Sequence, residues 1–185
     1  LSETLRQPFV VENRSGASGS IGSEMVARAA ADGYTLVVSG VASHVVVTAL
    51  SRVPYDPVKD FTHIALFGGP PSVFAAHPSV PAKDLKEFVA LAKASPGKYS
   101  YGSPGSGSHG HLVGEVFKQL AGIDMTHIPY KGGGPATADL IAGHVPAIST
   151  TLSSAATQIR AGKARGLAIS SAAPLPDHPE IPTFR

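Results

Sequence analysis

The residues best suited to chemistry lie in one glycine- and serine-rich segment, residues 99–111. It has the sequence Tyr-Ser-Tyr-Gly-Ser-Pro-Gly-Ser-Gly-Ser-His-Gly-His and joins a short strand pattern to an amphipathic helix pattern. Glycines let the backbone turn its N–H groups inward, and serines add hydroxyl donors. The start of the helix adds unpaired N–H groups and the positive end of the helix dipole. The segment therefore predicts an anion-binding loop.

The same segment contains the spacing of a dinucleotide-binding motif. Gly105, Gly107 and Gly110 satisfy Gly-x-Gly-x-x-Gly, and Asp124 lies near the distance expected of a ribose-binding acid. However, Asp124 precedes the next strand pattern instead of ending it, and residues 99–101 lack the apolar run of a doubly buried strand. An NAD(P)-dependent oxidoreductase that uses this loop is the alternative function. A glycine-rich turn without a ligand is the third interpretation.

Other catalytic and metal-binding patterns are missing from the sequence. It contains no Gly-x-Ser-x-Gly, no His-Glu-x-x-His and no cysteine. Ser108 and His109 are adjacent, which is poor geometry for a nucleophile and its base. His109 and His111 are two residues apart on a loop-to-helix turn, which separates their rings. The other six histidines show no spacing signal. We expect no catalytic residue, no metal and no cofactor.

Composition limits the remaining classes. The chain has 185 residues, of which 43% are hydrophobic and 15% charged, so it can bury a core. The net charge is +2 without a run of basic residues, which argues against a nucleic acid as partner. No segment approaches the ~18 apolar residues of a membrane span, and the first residues lack a signal-peptide pattern. We expect a soluble, truncated chain.

Strand patterns alternate with amphipathic helix patterns along the chain. Strands are predicted at residues 9–12, 34–38, 64–67, 73–76, 99–101, 126–128, 145–149 and 167–170. Helices are predicted over residues 21–30, 85–92, 112–120, 135–141 and 153–159. Short connections between such elements are typical of mainly parallel sheets covered by helices, so the pattern predicts an α/β fold. Four prolines in residues 172–182 predict a surface loop there.

Two further glycine-rich loops, residues 13–22 and 129–135, also connect a strand pattern to a helix pattern. Three such loops are expected if two lobes face each other and bind a small acid between them. Neutral N–H and hydroxyl donors hold a carboxylate reversibly. The interruption at residues 68–71 would let the chain cross between lobes. The predicted first lobe comprises residues 1–68 and 167–185, and the second comprises residues 69–166.

Several motifs in chain order carry a family resemblance. They are Val10-Val-Glu-Asn-Arg-Ser-Gly-Ala-Ser-Gly-Ser-Ile-Gly, Asp32-Gly-Tyr-Thr-Leu, Tyr55-Asp-Pro-Val-Lys-Asp-Phe, His77-Pro-Ser-Val-Pro-Ala-Lys, Ser95-Pro-Gly-Lys, Gly105-Ser-Gly-Ser, His127-Ile-Pro-Tyr-Lys-Gly and Ile159-Arg-Ala-Gly-Lys-Ala-Arg-Gly-Leu-Ala. Together they resemble the receptors of tripartite tricarboxylate transporters, the Bug or TctC family of solute-binding proteins. The resemblance implies a periplasmic, monomeric, two-lobed protein of the type II periplasmic-binding-protein fold. Such a protein closes on a small carboxylate and presents it to membrane permease subunits, without catalysis.

The resemblance also implies which residues bind the ligand. The second-lobe loop is the main carboxylate-binding segment, residues 16–19 form the opposing first-lobe loop, and a polar pair follows the strand pattern that ends at Val38. Gly16 and Gly19 fit turn geometry equally well, and His44 fits a capping or core role. The expected ligand-binding residues are Gly16, Ala17, Ser18, Gly19, Ser39, Ser43, His44, Ser103, Gly105, Ser106, Gly107, Ser108, His109, Tyr130, Lys131 and Thr150.

The sequence departs from the family pattern in two places. At Ser149-Thr150-Thr151 the family commonly has an aromatic residue, Asp and Asn, so a hydroxyl replaces an acid that would recognise an ammonium group. Val47-Thr48 replaces a frequent Asn-Pro. The family's N-terminal strand with its Pro-Gly-Gly loop and its C-terminal helices have no counterpart here, so we expect an incomplete first lobe. We expect a ligand with a carboxylate and no amine, such as a dicarboxylate or an aromatic acid.

Overall fold

The computed structural model describes residues 1–66 and 68–184. Its helices are α1 (Ser2–Leu5), α2 (Ser20–Ala27), α3 (Val47–Leu50), α4 (Leu85–Ala94), α5 (His109–Ala121), α6 (Gly133–Ile141) and α7 (Leu152–Arg160). Its strands are β1 (Ser72–Ala76), β2 (Ser100–Ser103), β3 (Thr126–Pro129), β4 (Ala147–Thr151) and β5 (Arg165–Ile169). A 3₁₀ turn at Ala17–Gly19 precedes α2, and a π-helical turn at Ala42–Val46 precedes α3.

The strands form one mixed sheet in the order β3-β2-β4-β1-β5. β2 runs parallel to β3 and β4, whereas β1 runs antiparallel to β4 and β5. β2, β3, β4 and β5 therefore end at one edge of the sheet, where β1 begins. In register, Ser72 lies opposite Thr151 and Ser103 lies opposite Pro129. We call this the carboxyl edge, and it is where ligands bind in open α/β sheets.

Helices cover both faces of the sheet because side chains alternate along each strand. On β1, Phe74 and Ala76 point into one core with residues of α4 and α5, including Phe88 and Phe117. Val73 and Ala75 point into a second core with residues of α6 and α7. The predicted α/β class, its second-half helices and its strands from residue 72 onward are confirmed. Because helices cover both faces of the sheet, the carboxyl edge is the candidate position for a ligand-binding site.

The first part of the chain differs from the prediction. Residues 9–12 and 34–38 are not strands, and neither are residues 64–66, while Phe67 lies outside the described residues. A strand needs hydrogen bonds to a neighbour, and no described segment pairs with these residues. Their apolar side chains are accordingly exposed, Val10 by 85% and Leu66 by 94%. The predicted helix over residues 21–30 is present as α2 but ends at Ala27.

The proline-rich tail, for which the sequence predicts a surface loop, is partly buried. Ile181 is fully buried in the second core, and His178 is also buried. The Ile169 N–H donates to the Pro182 carbonyl oxygen at 2.8 Å, and Phe184 packs against the first core. The predicted division into lobes stays a prediction, but its boundary between residues 166 and 167 falls inside β5.

Candidate ligand-binding site

The β2–α5 loop, residues 104–108, crosses the carboxyl edge and is held by its own hydrogen bonds. The Gly105 N–H donates to Ser103 Oγ at 3.2 Å, and the Ser108 N–H donates to the Gly105 carbonyl at 3.1 Å. The Gly107 N–H donates to His111 Nδ1 at 3.0 Å, and Ser108 Oγ caps α5 by accepting the His111 N–H at 3.2 Å. Gly105 and Gly107 have φ of 138° and 77°, which glycine adopts without strain.

These bonds leave three donors unused at the start of α5. Within residues 1–66 and 68–184, the N–H groups of Ser106, His109 and Gly110 have no hydrogen-bond partner. Ser106 and His109 are exposed, whereas Gly110 is buried. The helix that follows is 13 residues long, so its dipole adds positive potential at this end. The arrangement can hold an anion. The N–H groups of Gly105, Gly107 and Ser108, in contrast, serve to shape the loop.

The β3–α6 loop, residues 130–132, lies beside the β2–α5 loop. The Tyr130 N–H donates to the Ser103 carbonyl at 2.9 Å, and the Gly132 N–H donates to the Pro104 carbonyl at 3.0 Å. The Tyr130 hydroxyl donates to Asp139 Oδ2 at 2.8 Å, and burial together with this carboxylate raises the pKa of Tyr130 to about 12. The hydroxyl thus stays protonated, and the next residue, Lys131, is exposed.

Thr150 lies at the end of β4 and is fully buried. Neither its Oγ1 nor the Ser149 Oγ has a hydrogen-bond partner in the described part of the chain. A Cβ on Gly133, the first residue of α6, would lie 2.7 Å from Thr150 Oγ1 and 2.6 Å from Ser154 Oγ. The start of α6 therefore packs directly on Thr150. The structure brings Thr150 to the carboxyl edge, beneath α6.

The α2 loop, residues 16–19, touches the β2–α5 loop from the first half of the chain. All four of its residues have positive φ, including 44° at Ala17 and 56° at Ser18, which is unfavourable for residues other than glycine. The Ser18 hydroxyl donates to the Ser106 carbonyl oxygen. A Cβ on Gly107 would lie 3.5 Å from Ser18 Oγ. The two predicted loops therefore meet at Ser106 and Gly107.

Three predicted residues lie in or near the π-helical turn. Ser43 is buried, and a Cβ on Gly19 would lie 3.3 Å from its Cβ. His44 instead belongs to an aromatic cluster, with its ring centroid 4.7 Å from that of Phe61 and 6.0 Å from that of Tyr55. Burial and then the neighbouring His63 lower the pKa of His44. Ser39 is exposed, and no described hydrogen bond joins it to the other predicted residues.

His109, the first residue of α5, is also tied to the sheet. Its exposed ring reaches Ser72 Oγ through Nδ1 at 3.3 Å, and Ser72 is fully buried at the start of β1. This contact places His109 at the carboxyl edge, next to the β2–α5 loop.

Sequence reasoning missed a pair of histidines beneath the loop. The rings of His111 and His127 stack with centroids 4.0 Å apart, and His127 Nε2 lies 2.7 Å from Ser103 Oγ. Burial, and then the neighbouring His111, lower the pKa of His127 to about 4. Tyr101 lies opposite His127 across β2 and β3, and its hydroxyl donates to Glu115 at 2.7 Å. The β2–β3 register and the packing of α5 on the sheet bring these residues together, so no local spacing could reveal them.

Among residues 1–66 and 68–184, no helix is both long and apolar enough to cross a bilayer. In the same described residues, no group of three His, Asp or Glu side chains is placed to hold a metal ion.

Comparison with known protein families shows to which family the chain belongs. The family model described as "Tripartite tricarboxylate transporter family receptor", TctC, matches residues 1–185. The chain belongs to the TctC family. BugT of Bordetella pertussis is a relative that is 36% identical over 186 residues, which cover 100% of this chain and 57% of BugT. The chain thus spans about half the length of the curated relatives that it matches.

Solved structures place the fold in the same group. A structure described as that of a periplasmic transporter superposes with a TM-score of 0.95 at 45% identity, over 99% of this chain and 62% of that one. A Rhodopseudomonas palustris protein solved with adipate gives 0.95 at 34% identity, also over 99% and 62%. MatC from R. palustris, with bound malate, gives 0.89 at 33% identity, over 98% and 62%. The predicted periplasmic-binding-protein fold is confirmed.

Membership of the TctC family also bears on the choice between an enzyme and a receptor. Its members are solute-binding receptors and not enzymes, so the alternative of an NAD(P)-dependent oxidoreductase is wrong. The ligand-binding roles of the predicted site residues stay predictions.

Proposed function

We propose that the protein is a periplasmic receptor that captures a small carboxylate between the β2–α5 loop and the α2 loop. It then delivers the carboxylate to the membrane permease of a tripartite tricarboxylate transporter. The observation that carries this proposal is the set of unused N–H groups of Ser106, His109 and Gly110, next to the contact between the two loops. The ligand-binding residues predicted above, other than His44 and Ser39, lie on or around these loops.

The donors are suited to a carboxylate because they are numerous, directional and neutral. A hydrogen bond to a charged group contributes about 1.5–3 kcal/mol, so three amides contribute at most about 9 kcal/mol. Micromolar binding needs about 8 kcal/mol after the cost of association is met, so contacts from the opposing loop must add to those of the amides. The nearest predicted cation, Lys131, is exposed and so adds little fixed charge. Binding would therefore be firm but reversible, as delivery to a permease requires.

The lining of the site favours acids without an amine. The β4 side chain beneath the start of α6 is the uncharged hydroxyl of Thr150, which offers an ammonium group no carboxylate. The related structures with adipate and malate contain dicarboxylates. We propose a dicarboxylate as the first choice of ligand and an aromatic acid as the second.

Ligand binding would be coupled to closure of two lobes. Ser18 belongs to the first half of the chain and Ser106 to the second, so a ligand beside their hydrogen bond would touch both. A ligand that contacts both lobes favours the closed arrangement over the open one. The permease would then recognise the closed form.

A ligand panel tests the proposal. Isothermal titration calorimetry with adipate, malate, benzoate, aspartate and NADH should detect binding of at least one amine-free acid. Aspartate should bind more weakly, and NADH should not bind. Binding of NADH alone, or of no acid in the panel, would contradict the proposal. Delivery is tested separately, by acid uptake in cells with and without the receptor gene.

A further inference from the structure

The imidazole rings of His127 and His111 anchor the residues on either side of Ser106 in the β2–α5 loop. On one side, His127 contacts Ser103 Oγ at 2.7 Å, and Ser103 Oγ accepts the Gly105 N–H at 3.2 Å. On the other side, His111 Nδ1 accepts the Gly107 N–H at 3.0 Å. Ser106 lies between these attachments, with its N–H unused among the described residues and its carbonyl oxygen bonded to Ser18. The direction of the Ser106 amide thus depends on both rings.

The bond to Gly107 fixes the protonation state of His111. Because the Gly107 N–H is the donor, Nδ1 of His111 must carry a lone pair, so the neutral ring has its proton on Nε2. A proton on Nδ1 would place two donors against each other and break the bond. Gly107 has φ of 77°, a conformation that the loop must hold at this point. The loop is therefore sensitive to the charge of the ring.

Acidic and basic groups both lie around the stacked rings of His111 and His127. Glu115 of α5 accepts from the Tyr101 hydroxyl of β2 and from Lys118 Nζ of α5, at 2.7 Å and 2.9 Å. β3 contributes His127 itself, whose ring lies 25° from parallel with that of His111. The Glu115 carboxylate is thus already engaged by two donors. A charge on one ring of the stack would oppose a charge on the other, and burial already lowers the pKa of His127.

We propose that His111 and His127 are positioning residues for carboxylate binding, and that protonation of His111 frees Gly107 and weakens binding as the solution is acidified. This inference rests on the proposed function. The receptor would hold its ligand at neutral pH and release it more readily in acid. Neither ring needs to touch the ligand, because both act through the shape of the loop.

Calorimetry with adipate at several pH values between about 7.5 and about 5 tests the inference. The wild-type protein should lose about tenfold in affinity over this range, the loss expected for one charge-assisted hydrogen bond. In His111→Asn, the side-chain oxygen can accept the Gly107 N–H but does not titrate, so binding should be near wild type at pH 7.5. Because the carboxylates of adipate themselves take up protons near pH 5, this variant gives the ligand's own contribution, and the wild-type loss is measured relative to it. His111→Leu removes the acceptor and should bind about tenfold more weakly at every pH.

His77→Asn is the matched control. His77 follows β1 at the opposite edge of the sheet, where its ring contacts Ser79 at 2.7 Å, and this variant should keep the wild-type profile. Nitrogen-15 spectra of the imidazole rings add a readout without ligand. They should show the Nε2–H form of His111 at pH 7.5, with slow exchange of the Gly107 amide that His111→Leu abolishes.

The outcomes separate the two proposals. Adipate binding that is unchanged or stronger at pH 5, or His111→Leu with wild-type affinity, overturns the inference and leaves the proposed function intact. An Nδ1–H form of His111 at pH 7.5 overturns it as well. A wild-type protein that binds no acid at any pH overturns the proposed function and the inference with it.

Discussion

The hydroxyl of Ser18 donates a hydrogen bond to the carbonyl oxygen of Ser106, although the two residues lie 88 positions apart. Through this bond the α2 loop meets the β2–α5 loop. Ser18 holds φ of 56°, a strained conformation for a serine, at the point of contact. Strain of this kind is typical of positions where a contact or a ligand matters more than local stability.

Ser18→Ala should weaken adipate binding about fivefold to tenfold, because closure then loses one hydrogen bond between the loops. Calorimetry measures the change. Ser79→Ala is the control, since Ser79 is exposed and its hydroxyl contacts only His77 at the opposite edge among the described contacts. Equal affinities for Ser18→Ala and the wild type would show that the loop contact has no part in binding.

Gly110→Ala should lower the free energy of unfolding by about 2 kcal/mol or more. Its Cβ would collide with the Ser149 carbonyl oxygen and come within 3.0 Å of Pro104 Cδ, so α5 would have to move off β4. Denaturant unfolding followed by circular dichroism gives the value.

Gly134→Ala is the matched control for Gly110→Ala, because both glycines are second in their helices and a Cβ at Gly134 meets nothing within 4 Å. Gly134→Ala should be neutral or stabilise by up to about 1 kcal/mol. Comparable destabilisation by the two variants would contradict the close packing of α5 on β4.

Thr150→Asp should weaken adipate binding at least about tenfold, because an ionised carboxylate at the carboxyl edge repels an anionic ligand. Thr150→Asn is uncharged and of similar size to aspartate, so it separates charge from shape. Calorimetry with adipate and aspartate measures both variants. If Thr150→Asp and Thr150→Asn bind adipate equally well, Thr150 does not face the ligand.

Acidification should also reduce the stability of the protein through His127. Its pKa is about 4 in the folded chain and about 6.5 in an unfolded one, so the unfolded chain binds more protons between these values. The free energy of unfolding should therefore fall as the pH is lowered from about 7 to about 4, and His127→Gln should reduce this slope. Unfolding curves at pH 7 and pH 5 compare the two proteins. Identical slopes would show that His127 is not held neutral.

An element could be predicted from the sequence where the residues that determine its structure lie close together along the chain. The β2–α5 loop was predictable because glycines, serines and the following apolar stripe are contiguous, and α5 begins at the end of this loop. Residues 9–12 and 34–38 carry equally apolar patterns, yet a strand also needs a partner, and none lies within the described chain. Ile181 follows three prolines but is buried, because its burial depends on the distant β5. His127 reaches Ser103 only through the β2–β3 register.

A crystal structure of the protein with adipate tests most directly whether the unused amides at the start of α5 hold a carboxylate. We expect one carboxylate group to lie within about 3 Å of the amide nitrogens of at least two of Ser106, His109 and Gly110. The Ser18–Ser106 contact should be kept in that complex. Adipate bound elsewhere, with these amides still free or directed to other protein groups, would contradict the account.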